Sequence, residues 1–527
     1  MKKITIALAI MALPLAVNAQ YAFDALKYSQ TQLRGTSRFI SMGGAFGALG
    51  GDISVLGQNP AGIGVYRSSD VNVTASLDLN SSTATGQKCT NNQFLLSNAG
   101  YVGAIKLKSD VMPNVNFGIS YNRVNSFRRH YTGAMENIPT SVTNYIAEKM
   151  MQDGITTNDL YQRSGFNPYY NGNARWDQIA AYQTYLVNLS DASGKKFAGL
   201  GYDGVYGSNE FEVEEWGHTD EYNLSFGGNI YNKFYWGVSM GFTELLYESY
   251  KYYGEVLMNT VVYDRADMSS AKLVNGNTAF GIVNSSRTVG TGLNGKLGVI
   301  FKPVNELRFG LAVHTPTFYN MKDVYSGNIS AEYYGDEVKK SYVVEERYPE
   351  NVVYYDIKTP WKLIGSVAAV VGGKGIISAD YEYTGNDAMR ICDDSGREFA
   401  DATYEIKNYM QPSHTLRLGA EYRVTPNFSL RAGYSYQTST TSDDVKNDKV
   451  GVEVAGTDPS YSYDTSNQHI TAGLGYHQGS FYCDLAYVNQ QRKSNYHAFS
   501  GIVDLPTVGA EVKDSNHRIQ ASIGFRF

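Results

Sequence analysis

The C-terminal stretch of the chain alternates strictly between two chemistries. Ile519, Ala521, Ile523, Phe525 and Phe527 fall on one face of an extended chain, and Gln520, Ser522, Gly524 and Arg526 fall on the other. A period of two specifies a strand with one apolar and one polar face. The pattern recurs upstream. Leu416, Leu418, Ala420, Tyr422 and Val424 alternate with Thr415, Arg417, Gly419, Glu421 and Arg423. Beyond Thr425-Pro426-Asn427, Phe428, Leu430, Ala432, Tyr434 and Tyr436 alternate with Ser429, Arg431, Gly433, Ser435 and Gln437. Strands are predicted near 70–80, 99–108, 115–125, 221–231, 234–247, 291–302, 307–320, 359–371, 375–384, 414–424, 428–438, 468–477, 481–490 and 517–527. Each is near the length that a tilted membrane strand needs, and their number, about fourteen, is even.

The connections decide between a sandwich and a barrel. Short ones (Ser109 to Asn114, Asn232-Lys233, Pro303 to Glu306, Gly372 to Lys374, Thr425 to Asn427, Gln478 to Ser480) alternate with long ones at 126–220, 248–290, 321–358, 385–413, 439–467 and 491–516. Turns on one rim and loops on the other are the habit of an outer-membrane barrel. In hydrocarbon every backbone N–H and C=O must be bonded internally, so the sheet must close. Aromatic residues near strand ends, as in Phe234-Tyr235-Trp236 and Tyr354-Tyr355 before Trp361, suit interfacial girdles or simply the strand propensity of Tyr and Phe. The fold class expected is an all-β, transmembrane antiparallel barrel of about 14 strands.

The N-terminus says how such a chain would reach a membrane. Lys2 and Lys3, an apolar run from Ile4 to Leu15 and Val17-Asn18-Ala19 read as a secretory signal peptide over 1–19, cleaved after Ala19. No Cys follows that site, which argues against a lipid anchor. Elsewhere no apolar run approaches the ~20 residues of a membrane helix. The mean hydropathy of −0.32 is what alternating strands average to. A net charge of −6 argues against nucleic acid as a partner. Three cysteines, Cys89, Cys392 and Cys483, are too few and too far apart for a disulfide framework.

Residues 20–69 precede the first strand and do not alternate. They contain Ser41-Met42-Gly43-Gly44-Ala45-Phe46-Gly47-Ala48, Gly50-Gly51-Asp52 and Asn59-Pro60-Ala61-Gly62. Small residues allow a compact segment to pack inside a lumen, Pro60 fixes a turn, and Asn59 can bond its own backbone. A phosphate-binding loop is excluded, because no strand precedes the glycines and no Gly-Lys-Ser/Thr closes them. The run from Arg38 to Gly62 resembles the N-terminal hatch of the FadL/TodX outer-membrane transport family, in which Met-Gly-Gly-Ala-aromatic precedes Asn-Pro-Ala-Gly. Phe309 to Pro316 is similar to that family's strand leading into a Pro-containing bend. Terminal Phe525 and Phe527 resemble the signature read by the barrel assembly machinery. Gly50-Gly51 and Gln58 depart from the family's usual residues. The resemblance implies a plugged 14-stranded barrel that imports hydrophobic molecules such as long-chain fatty acids or aromatic compounds.

On that reading the domains are the signal (1–19), a hatch (20–69) and a barrel with long extracellular loops (70–527). The gate would comprise Met42, Gly43, Gly44, Ala45, Phe46, Asn59, Pro60, Ala61 and Gly62. Strand parity turns Arg308, His314, Arg417, Glu421 and Arg431 inward, as ligand contacts or simply as the polar lining of a wet interior. Eight histidines show no metal-ligand spacing, so no metal or cofactor is expected. Haemin remains an alternative ligand, since some relatives are labelled haemin receptors; a surface adhesin is another. No nucleophile and base can be matched by spacing, so an enzyme is not expected. The expected partners are a hydrophobic ligand, outer-membrane lipid and the assembly machinery, with the protein a monomer.

Overall fold

The computed structural model describes residues 22–202, 204–264, 272–452, 457–501 and 506–527; the segment expected as a signal peptide, 1–19, lies outside them. Fourteen antiparallel strands close into a barrel. They are β1 Asp70–Ala84, β2 Gln87–Lys106, β3 Asn114–Ser126, β4 Tyr206–Ile230, β5 Phe234–Asp264, β6 Lys272–Val304 and β7 Leu307–His314 with Phe318–Tyr334. They continue as β8 Asn351–Lys358 with Lys362–Val371, β9 Gly375–Thr384, β10 Ser413–Arg423, β11 Phe428–Thr438, β12 Tyr461–Gln478, β13 Phe481–His497 and β14 Gly509–Arg526. Neighbours in sequence pair throughout, and β14 returns to β1 from Asp70↔Arg526 to Ala84↔Val512. The ends are sealed as well: Ser69 and Phe527 exchange both backbone hydrogen bonds at 3.0 Å.

The alternation read from sequence is the inside–outside division of this barrel. Ile519 and Ile523 are 51% and 52% exposed, while Arg518 and Ser522 are 1% and 0%. Leu416, Leu418 and Tyr422 likewise point out, and Thr415 and Glu421 point in. A belt of exposed Leu, Ile, Val and Phe around a buried charged interior is the inverse of a water-soluble core, and it is stable only against lipid. Leu418→Arg, in mid-belt, should therefore cost about 2–4 kcal/mol. The readout is loss of the folded, heat-sensitive band on gels. The inward Ser435→Thr should keep that band, and equal behaviour of the two variants would contradict the assignment of faces.

Three features differ from the sequence expectation. The stretches expected as long loops are largely extended sheet: β4, β5 and β6 run for 25, 31 and 33 residues, well beyond the belt. The connection 126–220 carries a further strand, Arg129–Glu136 against β4, and the helices α3 Val142–Gln152 and α4 Trp176–Gln183, packed into one large apolar cluster. The aromatic pairs also split. Phe234 and Tyr354 face out, but Tyr235 and Tyr355 are buried inside.

Strands β7 and β8 break side by side, at Thr315-Pro316-Thr317 and Thr359-Pro360-Trp361. Proline offers no N–H to the ladder. Thr359 repairs part of the gap: its hydroxyl accepts from Thr317 N (2.8 Å) and its own N–H donates to Thr317 O (3.1 Å).

Candidate functional site

The lumen is filled by residues 22–69. Helix α1 (Ala22–Ser29) lies towards the long-connection rim; α2 (Ser37–Ser41) and two 3-10 turns, Ile53–Gly57 and Pro60–Val65, lie deeper. Each turn has a local cause. Thr36 caps α2 by accepting from Phe39 N, and its hydroxyl donates to Asp52 at 2.8 Å. Asp52 caps the next turn through Ser54 N. Asn59 accepts from Ala61 N at 3.1 Å and Pro60 opens the helix behind it, as its sequence suggested. Gly43 has φ +63°, and a Cβ there would lie 2.7 Å from Tyr434 O, so both its conformation and its closeness to the wall demand glycine.

All nine residues expected in the gate are buried in this segment. The inward residues expected as lumen contacts mostly hold it in place. Arg308 donates to Leu49 O (2.7 Å), and His314 Nε2 donates to Gln58 O (2.7 Å). Glu421 bridges Arg38 (3.0 Å) and Arg431 (2.6 Å), and Arg431 continues to Asp484 (2.5 Å). Arg417 instead pairs within the wall, with Glu382 at 2.7 Å.

Two wall features escaped the sequence reading. Asp380 Oδ2 accepts from Phe46 N (3.0 Å), Gly47 N (2.9 Å) and Gln58 Nε2 (3.2 Å), tying the Gly-Gly-Ala-Phe-Gly loop to β9. Inward glycines give the hatch backbone room: a Cβ at Gly310, Gly419 or Gly433 would strike Gly47, Met42 or Gly43. Gly419 and Gly433 stand opposite each other on β10 and β11. Two facing glycines on a polar face are a signal that could have been read as a docking seat. Asp380→Ala should orphan the buried Gly47 amide, at about 1–3 kcal/mol, and leave Phe46 N with only its 3.0 Å bond to Gly44 O. Hydrogen exchange at Phe46 and Gly47 should rise, and unchanged protection would mean Asp380 is no latch.

Of the cavities left between hatch and wall, Tyr28 lines two. The inner one lies between hatch and wall beside the β7–β8 breaks. Its lining mixes charged groups, Glu221, Lys296, His314, Lys362, Glu382 and Arg417, with apolar side chains such as Leu33, Phe39, Val124 and Ile364. The outer one lies above the belt between α1 and the extensions of the wall. Lys27 of α1 reaches Glu215 (2.9 Å) and Tyr247 OH (2.8 Å) there. Burial alone would raise the Glu215 pKa, but the charges of Lys27 and Arg129 outweigh it and hold the carboxyl well below its usual range. Away from both cavities, His130 lies 2.9 Å from Glu212 and 3.7 Å from Glu214 on the extension, a grouping that no sequence spacing could disclose. All three cysteines are free.

No family model and no curated protein matches the sequence. Solved structures do. A FadL homologue of Pseudomonas aeruginosa superposes with a TM-score of 0.50 at 12% identity, over 94% of this chain and 99% of that one. The chain has the FadL-type fold. The toluene transporters TbuX of Ralstonia pickettii (14% identity, TM-score 0.44) and TodX of Pseudomonas putida (12%, 0.47) also match, each over 94% of this chain and 99% of theirs. At such identities the likeness is one of architecture. The FadL-type barrel here differs from a bare pore in being closed by its own N-terminal segment, tied down by Asp380, Arg308, His314 and Glu421.

Proposed function

We propose that this chain is an exported outer-membrane channel for gated, passive uptake of a small hydrophobic molecule, of aromatic rather than long-chain aliphatic type. The observation that carries the reading is a hatch-closed barrel whose outer cavity is walled by aromatic rings. Phe23 and Tyr28 of α1 face Tyr131, Tyr247, Tyr325, Tyr461 and Tyr496 of the wall, and among the described residues no Leu, Ile, Val or Met lines it. Rings offer broad apolar contact with few rotamers to freeze. On this reading residues 1–19 are the export signal, the short-turn rim faces the periplasm, Phe525 and Phe527 guide assembly, and the ligand moves when the hatch shifts. Such a shift cannot exceed the ligand's differential affinity for the two hatch states.

Haemin is the weaker candidate: tyrosines that could ligate its iron line the outer cavity, but its two propionates would meet the carboxylates of Asp24, Glu215, Asp323 and Asp458. Uptake of an aromatic hydrocarbon, a long-chain fatty acid and haemin into liposomes holding the protein separates the readings. Saturable entry of the aromatic compound alone is expected. Preference for the fatty acid or haemin would overturn the ligand class, and absence of any uptake would overturn the channel.

A further inference from the structure

The outer cavity has a charge pattern that a hydrocarbon site would not need. Four carboxylates, Asp24, Glu215, Asp323 and Asp458, line it against two ammonium groups, Lys27 and Lys251, among the described residues. Both ammonium groups are engaged. Lys27 Nζ is held by Glu215 and Tyr247 OH, and Lys251 Nζ by Asp458 (2.5 Å) and Ser460 Oγ (3.3 Å). Asp24 is not so engaged: it stands 3.9 Å from Lys27, outside hydrogen-bond range, with its side chain 41% accessible. An incoming anion would therefore meet a net negative lining whose cations are already paired, and like charges repel strongly in a partly desolvated space.

A cation meets the opposite. Aromatic faces surround the cavity, and the electron-rich face of a ring attracts ammonium groups. Lys27 Nζ, held by the Tyr247 hydroxyl, lies 4.5 Å from the centre of that ring, so the tyrosine lining already accommodates a cation within the protein itself. An acceptor is also waiting. Asn284 lines the cavity and is 8% exposed, and its Oδ1, packed near Gly327, has no hydrogen-bond donor among the described residues, so a turn of the amide would present this acceptor to a ligand. A buried acceptor left unmatched is costly, so a donor on the ligand would be rewarded.

From these observations we propose that the ligand of the outer cavity is a small aromatic compound carrying a protonated amine. The inference rests on the channel reading above and narrows its substrate class. The ring would lie among Tyr28, Tyr131, Tyr247 and Tyr461, and the ammonium would be drawn to Asp24 and Asn284 Oδ1. An aryl carboxylate of the same size would be rejected by the same groups.

The test uses three single-ring probes of similar size and different charge: benzylamine, toluene and benzoate. Calorimetry on the full chain in detergent should give benzylamine an affinity roughly tenfold or more above benzoate, the scale of a desolvated cation–ring contact. That preference should weaken with added salt. Asp24→Asn, at an accessible side chain, should shrink the benzylamine-to-benzoate ratio. Asn284→Leu should lower benzylamine affinity by a separate route, so the test does not depend on one variant folding. Equal affinities for the three probes, or preference for toluene or benzoate, would overturn the amine assignment while leaving the channel intact. If none of the three binds or enters liposomes, the channel reading fails and this inference falls with it.

Discussion

Excision of residues 36–62 should turn a closed barrel into an open one. Fourteen strands enclose a lumen between those of eight-stranded barrels, which side chains fill, and 16–18-stranded porins, which conduct water. What fills it here is the hatch. Its links to the wall are mainly polar: Asp380 to the Phe46 and Gly47 amides, Arg308 to Leu49 O, His314 to Gln58 O, and Thr471 to the Gly43 amide. Water can replace each of these partners, so the wall need not collapse when the segment is gone. The apolar hatch residues Phe39, Ile40, Met42, Phe46 and Val55 pack chiefly on one another, and they leave together. Conductance in planar bilayers should rise roughly tenfold or more, as expected when a barrel of this width loses its plug. Selective aromatic uptake should vanish in the same variant. Conductance equal to that of the intact protein would mean that the segment does not block the path.

The same contrast between polar contacts and apolar packing explains what could be read from the sequence. The strands were legible because lipid and lumen impose opposite demands on alternate residues, as at Ile519 and Arg518. The extensions were not. Beyond Phe242, strand β5 turns Tyr247, Ser249 and Lys251 inward while Glu248, Tyr250 and Tyr252 lie on the other face. Neither face is consistently apolar outside the bilayer, so the alternation that marks a strand fades and the stretch reads as a loop. Asn59-Pro60 was legible because its cap is local: the side chain bonds its own backbone two residues on. Asp380 was not, because its three partners lie more than 300 residues away and only closure of the barrel brings them to it. The outer cavity was hidden for the same reason. Its rings come from α1 and from separate strand extensions, in a chain so rich in tyrosine that no single one stands out.

The outer helices should loosen as pH rises, through one carboxylate. Glu255 lies on the extension of β5, above the belt, and is 1% exposed. It accepts from Val142 N (2.8 Å), Ser141 Oγ (2.5 Å) and Tyr253 OH (2.7 Å), and so grips the N-terminus of α3. Burial pushes its pKa up to about 7, against the downward pull of those hydrogen bonds. The ordinary glutamate value of 4.5 applies once the segment opens. Between the two values the closed form binds more protons, so the stability that Glu255 supports is complete below pH 4.5 and is lost as pH rises through about 7. A shift of that size corresponds to about 3 kcal/mol, or on the order of a hundredfold in local opening. Hydrogen exchange in α3, corrected for intrinsic rates, should therefore be markedly better protected at pH 5 than at pH 8. Glu255→Gln keeps an acceptor for Val142 N and cannot ionise, so it should hold α3 almost equally at both pH values. If the wild-type protein shows no pH dependence in α3 protection, or if Glu255→Gln retains all of it, this carboxylate is not the group that governs the helix.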